Sequence, residues 1–116
     1  MISSDLIKGS VKTIVLKILE ENGPMHGYAI SRKVEELTAG KIKLTYGALY
    51  PLLHKLESEK MLVTASEIFN NRMRVYYSLT PKGHSLVEEK VRELNEFIES
   101  LKKIIELKPG LRYART

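Results

Sequence analysis

Along the first part of the chain, apolar residues recur at helical spacing. Ile7, Val11, Ile14, Val15, Ile18 and Leu19 share one broad face and predict an amphipathic helix. Gly23-Pro24 ends it, because proline cannot continue a helix and glycine accepts left-handed angles. A second helix is expected from about His26 to about Leu37, with Ile30, Val34 and Leu37 a turn apart and Gly40 closing it. After Lys41-Ile42-Lys43-Leu44, Thr45 is an N-cap for a third helix reaching about Lys60. The period then changes from 3.6 to 2. Leu62 to Phe69 is rich in strand formers, Asn70-Asn71-Arg72-Met73 reads as a polar turn, and Arg74 to Leu79 alternates. Val75, Tyr77 and Leu79 would point one way, Arg74, Tyr76 and Ser78 the other.

Such a hairpin is not stable alone in water and must lie against the helices. Three short helices followed by a hairpin with a basic tip describe a winged helix-turn-helix. Thr80-Pro81 then starts a fourth long helix, a capping hydroxyl before proline at the first helical position, and Pro109-Gly110 stops it. Between them Val87, Val91, Leu94, Ile98, Leu101 and Ile105 are separated by 4, 3, 4, 3 and 4 residues, a heptad seam. Left in water that seam would be costly, so these six positions are the expected dimer contact. The fold class is thus mainly α with a small β-hairpin. The divisions are a winged-helix domain over 1–79, a dimerisation helix over 80–108 and a basic tail over 109–116.

Composition narrows the function. A chain of 116 residues is too short for a two-domain cofactor enzyme, and 43% hydrophobic residues suffice for a packed core. With no cysteine, a disulfide framework, a thiolate zinc site and a cysteine nucleophile are all excluded. Neither a membrane-length apolar run nor a signal-peptide start is present, so a cytoplasmic protein without membrane contact is expected. His26, His54 and His84 lie in three different elements without metal-ligand spacing, and no phosphate loop or nucleophile elbow occurs. No metal, no cofactor and no enzymatic activity are expected. The net charge of +5 lies outside the long helix, since residues 80–108 hold six basic and six acidic side chains.

The third helix carries the chemistry. At 100° per residue Leu49, Leu52, Leu53 and Leu56 form the core side, and Gly47, Pro51, His54 and Ser58 the opposite one, flanked by Tyr50 and Lys55. A proline would remove one helical hydrogen bond and crowd the carbonyl of Gly47, which an exposed face tolerates. A small-residue surface of this kind suits insertion into the major groove, which admits one helix. Thr45 and Tyr46 would then meet phosphate at the helix N-terminus, and Tyr50, Pro51, His54 and Lys55 would face base edges or backbone. Arg72 and Arg74 beside the asparagine turn suit phosphate or minor-groove contacts. A bland reading stands beside each: Tyr46 and Tyr50 as packing residues, His54 and Lys55 as solvated surface, the wing as a hairpin kept soluble by charge. His26 reads as a helix cap or a buried hydrogen-bond partner.

Three blocks occur in order: His26-Gly27-Tyr28-Ala29-Ile30, then Tyr46-Gly47-Ala48-Leu49-Tyr50-Pro51-Leu52-Leu53-His54-Lys55-Leu56-Glu57, then Arg74-Val75-Tyr76-Tyr77-Ser78-Leu79-Thr80-Pro81-Lys82-Gly83. Together the chain resembles the PadR-like transcriptional regulators over about residues 7–107, in the short subgroup with one C-terminal helix. The resemblance implies a prokaryotic winged-helix repressor that dimerises through its C-terminal helix and binds an inverted repeat in double-stranded DNA. It implies DNA contacts at Thr45, Tyr46, Tyr50, Pro51, His54 and Lys55, and a wing contribution at Asn71, Arg72 and Arg74. Thr45 replaces a frequent serine and keeps its hydroxyl, whereas Val75 replaces a common lysine. Some drug-sensing members stack flat ligands on a tryptophan of the C-terminal helix. This chain has no tryptophan, only Phe97 there, so a small hydrophobic effector would need an aliphatic pocket. The alternative to a homodimeric repressor is a winged-helix module that docks onto another protein without specific DNA binding.

Overall fold

The structure is a computed structural model and describes residues 1–108; the expected basic tail, 109–116, lies outside the described residues. The first helical run is divided. Helix α1 (Ser4–Ile7) and α2 (Val11–Asn22) are separated by a 3-10 turn, Lys8–Ser10, where the Ser10 hydroxyl donates to the Ile7 carbonyl at 2.8 Å. Gly23 closes α2 with φ +74°, its amide donating to the Leu19 carbonyl at 2.9 Å. Strand β1 (Met25–His26) follows, an element too short for a periodicity to register. Next come α3 (Gly27–Leu37), α4 (Tyr46–Ser58), β2 (Leu62–Phe69), β3 (Arg72–Leu79) and α5 (Pro81–Ile105).

The architecture matches the expected class: mostly helical, with a small antiparallel sheet and a long C-terminal helix. The sheet has three strands in the order β1-β3-β2. Its hairpin is tighter than the sequence suggested. The turn is Asn70-Asn71 alone, both with positive φ (50° and 62°), so Arg72 and Met73 belong to β3. Two left-handed residues match the twist of the flanking strands, and asparagine tolerates that region better than most side chains. Register pairs Leu62 with Leu79, Thr64 with Tyr77, Ser66 with Val75 and Ile68 with Met73, which puts these eight side chains on one face. Near the helices that face is buried at Leu62 and Tyr77; farther out the hairpin overhangs α4, and Val75, Met73 and Ile68 are exposed.

One core joins all the layers: Val15, Leu16 and Leu19 of α2, Ile30 and Val34 of α3, Leu49, Leu53 and Leu56 of α4, with Leu62, Tyr77 and Val87. Two glycines let the layers close. A methyl on Gly27 would collide with the ring of Tyr50 in α4, and one on Gly83 with the Met61 carbonyl oxygen. At the junction with α5, the Thr80 hydroxyl accepts from the Gly83 amide (3.1 Å) and donates to the Lys60 carbonyl (2.6 Å). It therefore caps α5 while fastening it to the end of α4.

Val87, counted in the seam from its spacing, is 1% exposed and packs in the core of its own chain against α2. It has no surface to offer a second molecule, which corrects its assignment as a dimer contact. Val91 also packs partly against this core, and Leu94 is half-buried. From Asn95 onward every residue of α5 is exposed, including Phe97, Ile98, Leu101, Ile104 and Ile105. The molecule measures 68 × 29 × 21 Å, and at its far end no other described element covers the apolar side of α5.

Candidate nucleic-acid interface

Thr45 caps α4 as its sequence context predicts: its hydroxyl oxygen accepts from the Ala48 amide at 3.2 Å. Leu49, Leu53 and Leu56 anchor the helix inward, with Leu52 half-buried at the margin. This leaves Gly47, Pro51, His54, Lys55 and Ser58 exposed along the outer side. Gly47 has nothing from beyond its own helix backbone within 4 Å of where a Cβ would stand, so among the described residues no other element packs into the gap.

The two tyrosines have different surroundings. Tyr46 is 51% exposed at the helix start, its ring edge-on to Tyr50 at 5.6 Å. Tyr50 is half-buried; its ring lies over Gly27 and 6.4 Å from the His54 ring. Tyr50 is thus a packing residue that also presents an edge to solvent.

The wing rises beside this helix. Thr64 of β2 donates its hydroxyl to Glu57 Oε2 at 2.9 Å and ties the hairpin to α4. Asn71 and Arg72 are exposed at the tip; Arg74 is half-buried, its guanidinium 4.1 Å above the Phe69 ring. That cation–π contact holds Arg74 across the hairpin. Between wing, α3 and α4 runs an open groove of about 800 Å³, bordered by Tyr28, Tyr50, His54, Arg72 and Arg74. It brings together helix and wing residues that lie some twenty positions apart in sequence. No acidic side chain lines it.

His26 sits at the root of this groove and is a cap: its Nδ1 accepts from the Ala29 amide at 3.2 Å. Its ring meets Tyr76 edge-on at 5.5 Å and lies parallel to Tyr28 at 6.4 Å. Burial, then the nearby Arg74 charge, pushes its pKa below the usual 6.5. An imidazolium could not accept the Ala29 proton. The unfolded chain therefore binds more protons than the folded one between the depressed value and 6.5, and stability rises with pH across that window. The cap's contribution is present above pH 6.5 and is lost as pH falls through the folded value. The thermal unfolding midpoint should fall as pH is lowered through and below 6.5, and His26→Asn, whose cap does not titrate, should flatten that part of the curve. An unchanged slope in the variant would detach the histidine from it.

Sequence reasoning passed over Tyr28 and Phe69, which become groove residues only when α3 and the wing come together. Among the described residues no group of acidic and histidine side chains could hold a metal ion, and no helix is long and apolar enough to cross a membrane.

Comparison with known proteins agrees with this geometry. The family model described as "Transcriptional regulator PadR-like family" matches residues 15–89. A transcriptional regulator of Mycobacterium tuberculosis is 36% identical over 62 residues, covering 53% of this chain and 58% of that protein. A transcriptional regulator from Clostridium thermocellum superposes with a TM-score of 0.74 at 31% identity, covering 88% of this chain and 95% of the other. A PadR family regulator from Eggerthella lenta gives 0.75 at 25% identity, with 90% and 88% covered. Family members are regulators of transcription and not enzymes. The match takes in both α4 and the wing, and this chain belongs to the PadR-like family of transcriptional regulators.

Proposed function

We propose that the chain is a homodimeric repressor that reads an inverted repeat in double-stranded DNA, with α4 in the major groove and the hairpin tip on the adjacent minor groove. The observation that carries this reading is the outer side of α4: small at Gly47, exposed at Pro51 and His54, and bordered by a groove with two arginines and no acid. In this arrangement Thr45 and Tyr46 meet phosphate, Pro51, His54 and Lys55 face the groove floor and its walls, and Tyr50 orients the helix against Gly27. Asn71, Arg72 and Arg74 serve the wing.

Dimerisation falls to the exposed part of α5. Ile98, Leu101 and Ile105 carry it, with half-buried Leu94 at its inner margin, and Phe97 and Ile104, which the heptad spacing leaves out, widen it. Val91 sits at the inner end of that surface. Two chains related by a two-fold axis would set their α4 helices about one DNA turn, ~34 Å, apart. A small hydrophobic effector that altered the angle between the winged domains would spoil that spacing and release the operator. A cytoplasmic, prokaryotic setting accompanies this role.

Selection of bound sites from random DNA should enrich a dyad with half-sites about 10 bp apart; no enriched sequence would reject specific DNA binding in favour of a protein-docking role. Arg72→Ala should weaken cognate and unrelated DNA alike, by about tenfold in low salt, because a phosphate contact carries no sequence information. Loss on cognate DNA only would make Arg72 a base reader.

A further inference from the structure

Around α4, at 100° per residue, Tyr50 and His54 mark one flank, Gly47, Pro51 and Ser58 the crest, and Lys55, Ala48 and Leu52 the other flank. The first flank borders the wing groove. The second borders a separate trench of about 590 Å³ between α4 and the N-terminal helices. Its rim holds Lys8, Lys12, Lys43 and Lys55 against a single acid, Asp5, while Ile7, Val11 and Leu44 form its apolar floor.

What sets these four lysines apart is that they share one rim. Lys17, Lys90 and Lys102 each lie within 4 Å of a glutamate on their own helix. Among the described residues Lys8, Lys12 and Lys55 have no such partner, and Lys43 has only Glu35 at 3.6 Å, with its side chain still 57% exposed. Among the described residues Lys33, Lys82 and Lys103 also lack a carboxylate within 4 Å, but they stand apart from the trench. They come from the turn after α1, the first turn of α2, the segment before α4 and α4 itself. Converging like charges repel unless an anion lies among them, and here the fold collects them from four places.

The major groove is about 12 Å wide and has a phosphate backbone on either side. A helix lying in it needs positive charge on both flanks. The wing supplies one flank with Arg72 and Arg74. We infer that Lys8, Lys12 and Lys43 form a second phosphate clamp, gripping the DNA backbone on the side of α4 away from the wing. The inference rests on the proposed seating of α4 in the major groove. Lysine is a compact charge without the planar fork that reads guanine, so this clamp adds affinity and leaves specificity alone.

The experiment measures binding of the full chain to its selected operator and to unrelated duplex across a range of salt. Each phosphate contact adds about 0.9 to the slope of log K against log salt. The triple variant Lys8→Ala, Lys12→Ala, Lys43→Ala should lower that slope by about 2.7, with the operator-to-unrelated affinity ratio unchanged. The triple arginine variant at the same positions should keep the slope, which separates loss of charge from a folding defect. Lys17→Ala, on a paired lysine outside the trench, should change nothing. An unaltered slope in the alanine variant, with Arg72→Ala still weakening binding, would overturn the clamp and leave the seating of α4 intact. Absence of DNA binding by the unmodified chain would instead remove the seating itself.

Discussion

Ile98→Asp should turn the proposed dimer into monomers. Ile98 is 41% exposed on the isolated chain, on the part of α5 that no other element covers, so the substitution spares the subunit's own core. Burying the exposed 41% of Ile98 against a partner is worth about 1 kcal/mol, and a two-fold interface loses it twice. A desolvated carboxylate adds its own penalty. The dimer should therefore weaken by at least about a thousandfold, at ~1.4 kcal/mol per decade. Sedimentation at micromolar concentration should report a monomer with unchanged helical circular dichroism, and operator affinity should fall with it. A dimer that persists would place the interface elsewhere, with Leu6 of α1, also exposed, the next surface to examine. Val87→Ala provides the contrast: it should lower the melting temperature without dissociating anything, because Val87 lies inside its own chain.

Gly47→Ala should make the protein more stable and a poorer operator binder. A glycine inside a helix costs up to about 1 kcal/mol relative to alanine. At Gly27 and Gly83 the fold uses the missing side chain, since a methyl would strike Tyr50 or the Met61 carbonyl. At Gly47 it does not, because a methyl would meet open space. On the proposed seating the gap serves the DNA, since a helix lying against base edges has no room for another carbon on its crest. Chemical denaturation should show a gain of up to about 1 kcal/mol, and operator affinity should drop by about tenfold or more, the scale of a lost or displaced base contact. A more stable variant with full affinity would take Gly47 out of the interface. A less stable one would assign the glycine to the adjustment around Pro51, whose ring crowds the Gly47 carbonyl.

Much of this architecture is legible in the sequence. Thr45 and Thr80-Pro81 marked the starts of α4 and α5, because a capping hydroxyl acts within three residues of itself. The leucines of α4 identified its inner side; in β3 the alternation grouped Val75, Tyr77 and Leu79 on one face, of which only Tyr77 is fully buried because the outer end of the hairpin leaves the core. The asparagine pair marked a turn, although its length was overestimated: positive φ at both residues makes two suffice.

The rest depends on segments distant in sequence. Strand β1 exists because Met25 and His26 pair with Tyr77 and Tyr76, some fifty residues on. Spacing put Val87 in an exposed seam, yet spacing does not reveal how far α2 reaches along α5. Lys8, Lys12 and Lys43 were ordinary surface lysines until α1, α2 and α4 met around one trench. Periodicity, caps and turn chemistry act over three or four residues, so the sequence alone determines the elements and their apolar sides. Which two elements touch, and how closely, follows from packing the whole core at once; that step decided where α5 becomes free and which charges border α4.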